Sequence, residues 1–385
     1  MAAQRAGRGP SYELREGCRV RCLRCGFSAE APLLRCPRCG GPLLIECDDR
    51  RWRVEGDIAS MWRYSEMMGF KVRKLVSAGE GLTPVTRVAG VLAKLETRNP
   101  TKTYADRAAS GIFTSFDLGP EPIDIEYAED YATSMAYYAR MAGLKLRVIT
   151  DPATADPQEL TELVRLGADV EFSGSPNIAY DNPVGLESLK TIAFEIAERG
   201  YRVRRVLVPA VTGLLAISIY RGFEAASQIL SRAPDVVAVL AGDRCGWARE
   251  ALRGSGVDVC CADTQSVLRT LVRLAERGVY LKPLAAAALS VAQGDGDLVI
   301  ITGAARRQFR EAHRRSGLRE LVLKVLGEGR ALTAYEIWRR LGSFTLRGVY
   351  SALESLERSG LACHEYELRG SRKVKLYRAC QDRKA

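Results

Sequence analysis

Between residues 51 and 315 the apolar positions fall into two alternating rhythms. Short β-branched runs such as LKLRVITDP (144–152) and RRVLVPAV (204–211) each end at a turn signal. Stretches such as TELVRLGADV and LESLKTIAFEIAERG carry helical spacing and close on glycine or just after it. Alternation of this kind predicts an α/β domain, parallel sheets covered by helices. In such a domain ligands bind at the carboxyl ends of the strands.

The pattern changes after residue 316. LRELVLKVLGEG reads as an amphipathic helix, and LTAYEIWRRLG as a second with Thr333 as its N-cap. SFTLRGVYSALESLERSG sets Leu346, Val349, Leu353 and Leu356 on one stripe and leaves Thr345, Arg347, Ser351 and Glu354 outward. LACHEYEL and KVKLYRA then read as a hairpin with RGSR at its tip. Three short helices followed by a basic hairpin resemble a winged helix-turn-helix. That resemblance places the third helix, 344–358, in a DNA major groove, with Thr345, Arg347 and Ser351 toward base edges. Arg369, Arg372, Lys373 and Lys375 on the hairpin would meet phosphates or the minor groove. The alternative is a winged helix that contacts protein only.

Charge sharpens this picture. The chain has a formal net charge of +11, and residues 305–385 hold 19 Lys and Arg against 9 Asp and Glu, leaving 38 and 37 elsewhere. Nearly all the surplus sits in the last fifth, which points to a polyanion partner, or else to a solvated basic surface.

Six of the 11 cysteines lie between residues 17 and 47. Two knuckles, CLRCG with Cys22 and Cys25 and CPRCG with Cys36 and Cys39, are ten residues apart. Each CxxCG turn aims two sulfurs at one point, so the pair supplies four thiolates for a tetrahedral Zn²⁺, a zinc ribbon over residues 1–50. A redox CxxC or a pair of disulfides is the alternative. Cys18 and Cys47 read as spare thiols. No apolar run approaches the ~20 residues of a membrane span, and MAAQRAGRGP has no secretory core. The expectation is a cytoplasmic protein without membrane contact, in which free thiols and metal sites outweigh disulfides. The high Arg content hints at a heat-adapted, archaeal source.

The middle segment, 51–315, resembles the threonine synthase branch of the fold-type II pyridoxal-phosphate enzymes, two-lobed proteins of the tryptophan synthase β kind. GEGLTP (79–84) resembles the entry loop, and LETRNPTKTYADR (95–107) the segment with the Schiff-base lysine. LESLKTIAFEIAE resembles a conserved helix of that branch, VLVPAVTGLLAISIYRGF the strand, phosphate loop and helix, and VIITGAARR the closing Thr-Gly strand. The zinc ribbon resembles an N-terminal extension found in many members.

The departures fall on the chemistry that the resemblance implies. Ala105 stands where the lysine belongs, and a methyl group cannot hold the cofactor covalently. EYAEDYATS puts Glu129 and Asp130 where a Ser-x-Gly-Asn-Thr loop is expected. The phosphate cradle is reduced to Val211, Thr212, Gly213 and Leu214, with one glycine. Thr212, Gly213 and Thr302 are the remnants of the cofactor site. Gly79, Gly81, Thr83, Pro84, Asn99, Pro100, Asp106 and Arg107 are retained. The two histidines, His313 and His364, lie outside the site segments, so neither replaces the lysine.

This reading expects a homodimeric DNA-binding transcriptional regulator over residues 316–385. Its catalytically inactive body would bind an effector, an amino acid or a phosphorylated precursor. The alternative is a working pyridoxal-phosphate enzyme whose amine comes from a displaced lysine, Lys102.

Overall fold

The computed structural model describes residues 10–48, 51–242, 245–305, 318–327, 329–341, 345–369 and 372–380. They form two compact units, Met1–Ala305 and Arg306–Ala385.

The larger unit begins with β1 (Cys18–Cys22), β2 (Ser28–Ala29) and β3 (Leu43–Cys47), an antiparallel sheet in the order β2-β1-β3. The hairpin β4 (Val85–Val88) and β5 (Val91–Leu95) leads to α1 (Ala105–Ser115). Next come β6 (Ile123–Glu126), α2 (Tyr131–Ala142), β7 (Leu146–Ile149), α3 (Pro157–Leu166) and β8 (Asp169–Glu171). They make a small parallel sheet in the order β6-β7-β8. The chain continues through α4 (Pro183–Leu189), α5 (Thr191–Glu198), β9 (Arg205–Pro209), α6 (Leu214–Ala225), β10 (Asp235–Ala241), α7 (Cys245–Ala251) and β11 (Asp258–Ala262). It closes with α8 (Thr264–Glu276), α9 (Pro283–Ser290) and β12 (Asp297–Ile301). The large sheet runs β11-β10-β9-β12-β5-β4, parallel except at the β4–β5 hairpin.

The strand and helix rhythms of the sequence thus become two sheets, as expected of an α/β chain. The central strands are apolar on both faces because helices cover both: Val206, Leu207 and Val208 of β9 and Leu298, Val299, Ile300 and Ile301 of β12 are all buried. The N-terminal sheet shares a core with the small sheet, since Val20, Leu43 and Ile45 cluster with Met61, Trp62 and Ile112.

In the smaller unit α10 (Leu318–Leu326), α11 (Ala334–Leu341) and α12 (Leu346–Arg358) precede a hairpin of β13 (Ala362–Arg369) and β14 (Arg372–Ala379). Val349, Leu353 and Leu356 are buried, in keeping with the stripe. Thr333 caps α11 through a reciprocal pair with Glu336: Glu336 N–H donates to Thr333 Oγ1 at 3.1 Å and Thr333 N–H to Glu336 Oε2 at 2.7 Å.

Several expectations need correction. Three disulfides are formed, Cys18–Cys47, Cys245–Cys261 and Cys363–Cys380, where free thiols were expected. Cys18 and Cys47 are not spare: the antiparallel register of β1 and β3 sets them directly opposite each other. The third helix starts at Leu346, and residues 342–344 lie outside the described residues. Thr345 is its N-cap, its Oγ1 accepting from Gly348 N–H at 3.1 Å, so this hydroxyl is engaged within its own helix. Lys375 is paired with Glu357 at 3.1 Å and lies over the Tyr377 ring, and Lys373 lies over Tyr366. Arg347 and Ser351 are exposed on α12, while the side chains of Arg369 and Arg372 fall outside what is described. Among the described residues no helix is long and apolar enough to cross a membrane.

Candidate functional site

The carboxyl edge of the large sheet gathers the residues that the sequence singled out, and β12 is its centre. Beyond its last residue, Thr302 O accepts from Tyr104 N–H at 2.9 Å and Ala304 N–H donates to Lys102 O at 3.1 Å. Bridges Thr103–Gly303 and Leu281–Ala304 sew both neighbouring loops to the same three residues. Ala105, the first residue of α1, is 1% exposed there. Thr302 is 8% exposed. On the adjacent parallel strand β9, the loop 211–213 leads into α6, and Gly213 holds φ +83 at its N-cap. That left-handed backbone favours glycine, and a Cβ there would also meet Leu252 Cδ2 at 2.6 Å.

The small sheet contributes the loop between β6 and α2. Asp130 sits at φ +68, and Lys102 at φ +70. Non-glycine residues in this region carry strain, which clusters at functional sites. The Asp130 backbone N–H donates to Glu159 Oε1 at 2.9 Å, and Tyr127 Oη and Thr133 Oγ1 also donate to the Glu159 carboxylate. This buried carboxylate therefore sits at the N-terminus of α2, the positive end of the helix. Close to Asp130 the phenols of Tyr104 and Tyr180 are hydrogen-bonded to each other at 2.6 Å.

One contact had no forewarning in the sequence. Lys282, the N-cap residue of α9, donates from Nζ to Asp130 Oδ2 at 2.6 Å and to Glu129 Oε1 at 2.8 Å. Its side chain is 14% exposed, that of Asp130 17%. A Cβ at Gly303 would lie 2.7 Å from Asp130 Oδ2 and 3.5 Å from Lys282 Cε, so the pair rests on the end of β12. Burial works against the ammonium, yet Asp130 and then Glu129 outweigh it and carry the Lys282 pKa upward. Burial raises Asp130 against the pull of Lys282. The only local cue to Lys282 was its place before Pro283, a helix start. Its carboxylate partners are more than 150 residues away in sequence.

The retained motif residues prove to be frame. Arg107 is wholly buried and donates to Glu96 Oε2 at 2.8 Å, to Glu96 Oε1 at 2.9 Å and to Glu195 Oε1, while Lys94 donates to Glu195 Oε2 at 2.6 Å. Asn99 joins Glu96 to the entry loop, accepting from Gly81 N–H at 2.9 Å. Thr83 Oγ1 donates to Glu96 at 2.7 Å. Burial would raise Glu195, but Arg107 and Lys94 hold its carboxyl down at about 2.

Asp106 behaves oppositely. Burial pushes it up from 3.8 to about 6, against hydrogen bonds from Thr101 N–H at 2.7 Å and Thr101 Oγ1 at 2.5 Å. A carboxyl raised on folding is uncharged at little cost below its unfolded pKa, and it destabilises progressively as pH climbs through the folded value. Asp106→Asn removes that term. Its stability relative to wild type is expected to rise by about 2 kcal/mol between pH 4 and pH 7. Urea unfolding at both values measures this, and a pH-independent difference would refute it.

In the N-terminal sheet region the sulfurs of Cys22, Cys25, Cys36 and Cys39 lie within 4.8 Å of one another. Gly26 and Gly40, which close the knuckles, hold φ +69 and +65, and their N–H groups donate to Cys22 O and Cys36 O. A Cβ at Gly41 would stand 3.2 Å from Cys39 Sγ and 3.3 Å from Cys22 Sγ. Four thiols at this spacing suit one tetrahedral Zn²⁺ with ~2.3 Å Zn–S bonds.

The two-lobed arrangement of parallel sheets is the fold of the fold-type II pyridoxal-phosphate enzymes. The solved structure of O-ureido-L-serine synthase superposes with a TM-score of 0.50 at 18% identity over 61% of this chain and 92% of that one, a likeness of fold alone. In sequence the chain is similar to threonine synthase of Methanocaldococcus jannaschii, 26% identical over 296 residues, 66% of this chain and 73% of that protein. Threonine synthase of Methanosarcina acetivorans is 23% identical over 241 residues, 53% of this chain and 59% of that protein. No family model matches the chain.

These relatives overturn the expectation of a DNA-binding regulator with an inactive body: both carry the name of an enzyme, and nothing in them points to DNA. The cofactor of that fold class fits here in part. Ala105 offers no amine. The same edge nevertheless carries a half-buried lysine, Lys282, the hydroxyl of Thr302 and the N-terminus of the 12-residue α6. Lys102 is exposed beside it.

Proposed function

We propose that the Met1–Ala305 unit is a pyridoxal-phosphate-dependent enzyme acting on an amino acid, with chemistry of the threonine synthase kind and its lysine displaced from position 105. The observation that carries this is the amine and two strained loop residues at the carboxyl end of β12, in a chain 26% identical to a threonine synthase. The N-terminus of α6, with Thr212 and Gly213, would take the cofactor phosphate, and Thr302 would face the ring nitrogen. When bound, the cofactor supplies an electron sink for charge developing on the amino acid's carbon. Tyr104 and Tyr180 lie near Asp130, so the pair can hold or pass a proton at the phenol oxygens. The alternative of a regulator is set aside; the zinc ribbon enters this reading as part of the same unit, and the winged helix as an appended module.

The test is reconstitution. Purified full-length chain mixed with pyridoxal phosphate and exhaustively dialysed is expected to retain one cofactor per chain. It should also form threonine from a phosphorylated amino-acid precursor. A chain that keeps no cofactor after dialysis refutes the reading.

A further inference from the structure

We propose that Lys282 is the residue whose amine condenses with the aldehyde of the cofactor, in place of both position 105 and Lys102. The proposal rests on the enzyme reading above and adds the identity of the attachment point.

Three observations carry it. The first is place: Lys282 follows Leu281, which bridges to Ala304, and its Cε lies 3.5 Å from where a Cβ of Gly303 would be. That is the end of a central strand, where ligands sit in open α/β sheets. The second is enclosure. The Lys282 side chain is 14% exposed, whereas Lys102 is an exposed residue whose backbone is held by Asn99 and Ala304. A covalent anchor must meet its partner within a fraction of an ångström, which favours the side chain already fixed by packing. The third is company. Asp130 and Glu129 both accept from Nζ, Asp130 in a strained conformation, and Tyr104, Tyr180 and Glu159 stand around that same loop.

The step balances with groups the site supplies. Lys282 gives up one proton to Asp130, and its lone pair attacks the aldehyde carbon, forming a C–N bond. The carbonyl oxygen takes that nitrogen's other two protons and leaves as water while C=N forms, and Asp130 returns its proton to the nitrogen. The nitrogen of that C=N bond is positively charged when protonated, as the ammonium was. Once the proton is back on that nitrogen, Asp130 and Glu129 again face a cation, so neither carboxylate ends the step without a charge partner.

The experiment uses the full chain loaded with pyridoxal phosphate, reduced with borohydride, digested and mapped by mass spectrometry. The wild type is expected to carry the reduced adduct on the peptide containing Lys282. Lys282→Ala should lose the visible band and the adduct, and Lys102→Ala should keep both. An adduct on Lys102, or one surviving at full yield in Lys282→Ala, overturns the proposal and leaves the enzyme reading standing. Cofactor retained without any reducible lysine adduct also overturns it. Cofactor not retained at all refutes both. Because mapping on the wild type decides the matter, a poorly folded Lys282→Ala would not obscure the answer.

Discussion

Arg107→Met is expected to destabilise the larger unit by about 3–5 kcal/mol. Arg107 is wholly buried between Glu96 and Glu195, and among the described residues the only other cation bonded to them is Lys94. Removing the guanidinium leaves two buried carboxylates to one ammonium, which stands 2.6 Å from Glu195 but 3.8 Å from Glu96. Glu96 would then be the group left with an uncompensated charge. Adding Glu96→Gln to Arg107→Met should accordingly recover a substantial part of the loss, a non-additivity expected of one network. The pH dependence has a definite sign. The folded pKa of Glu195 is depressed to about 2, so its share of stability is present above its unfolded value and is lost as pH falls toward 2. The gap between wild type and Arg107→Met should therefore narrow below about pH 4. Guanidinium unfolding across that range reads both effects; a loss under ~1 kcal/mol at pH 7 would mean the network is not a unit.

Features written in short stretches of the sequence were legible there. The CxxCG knuckles need only a turn and a glycine with positive φ, and those lie within five residues. The Thr333 cap and the Val349, Leu353, Leu356 stripe are set by spacing along one helix. Pairings between distant segments were not legible. Cys18 and Cys47 meet because β1 and β3 pair in one register, which no local rule specifies. Glu129 and Asp130 read as an unfavourable substitution when seen alone. With Lys282 against them they are half of an ion cluster. Thr345 was assigned to an outside partner, yet the same hydroxyl is the cap that starts α12. The retained residues Gly81, Asn99 and Arg107 suggested a scaffold, and they do brace one buried network. Their survival therefore says little about whether chemistry persists next to them.

Withdrawing zinc should reach well beyond the knuckles. If Cys22, Cys25, Cys36 and Cys39 hold Zn²⁺, one ion per chain is expected by elemental analysis, and the binding free energy is folding free energy for the strands it ties, on the order of 10 kcal/mol. Those strands are not a detached appendage. Cys22, Cys36, Val20, Leu43 and Ile45 belong to the same apolar cluster as Trp62, Phe113 and Tyr138. Lys190, beside α5, donates from Nζ to Ile45 O at 3.1 Å. A strong chelator, or Cys36→Ser, is thus expected to lower the melting temperature of the whole larger unit in one transition instead of melting a separate ribbon. The Cys18–Cys47 disulfide joins the far ends of β1 and β3, so it limits how far they separate when the metal leaves. Chelator and reductant together should then cost more than the sum of each alone. A chelated chain whose melting curve is unchanged would show that the four thiols hold no structural metal.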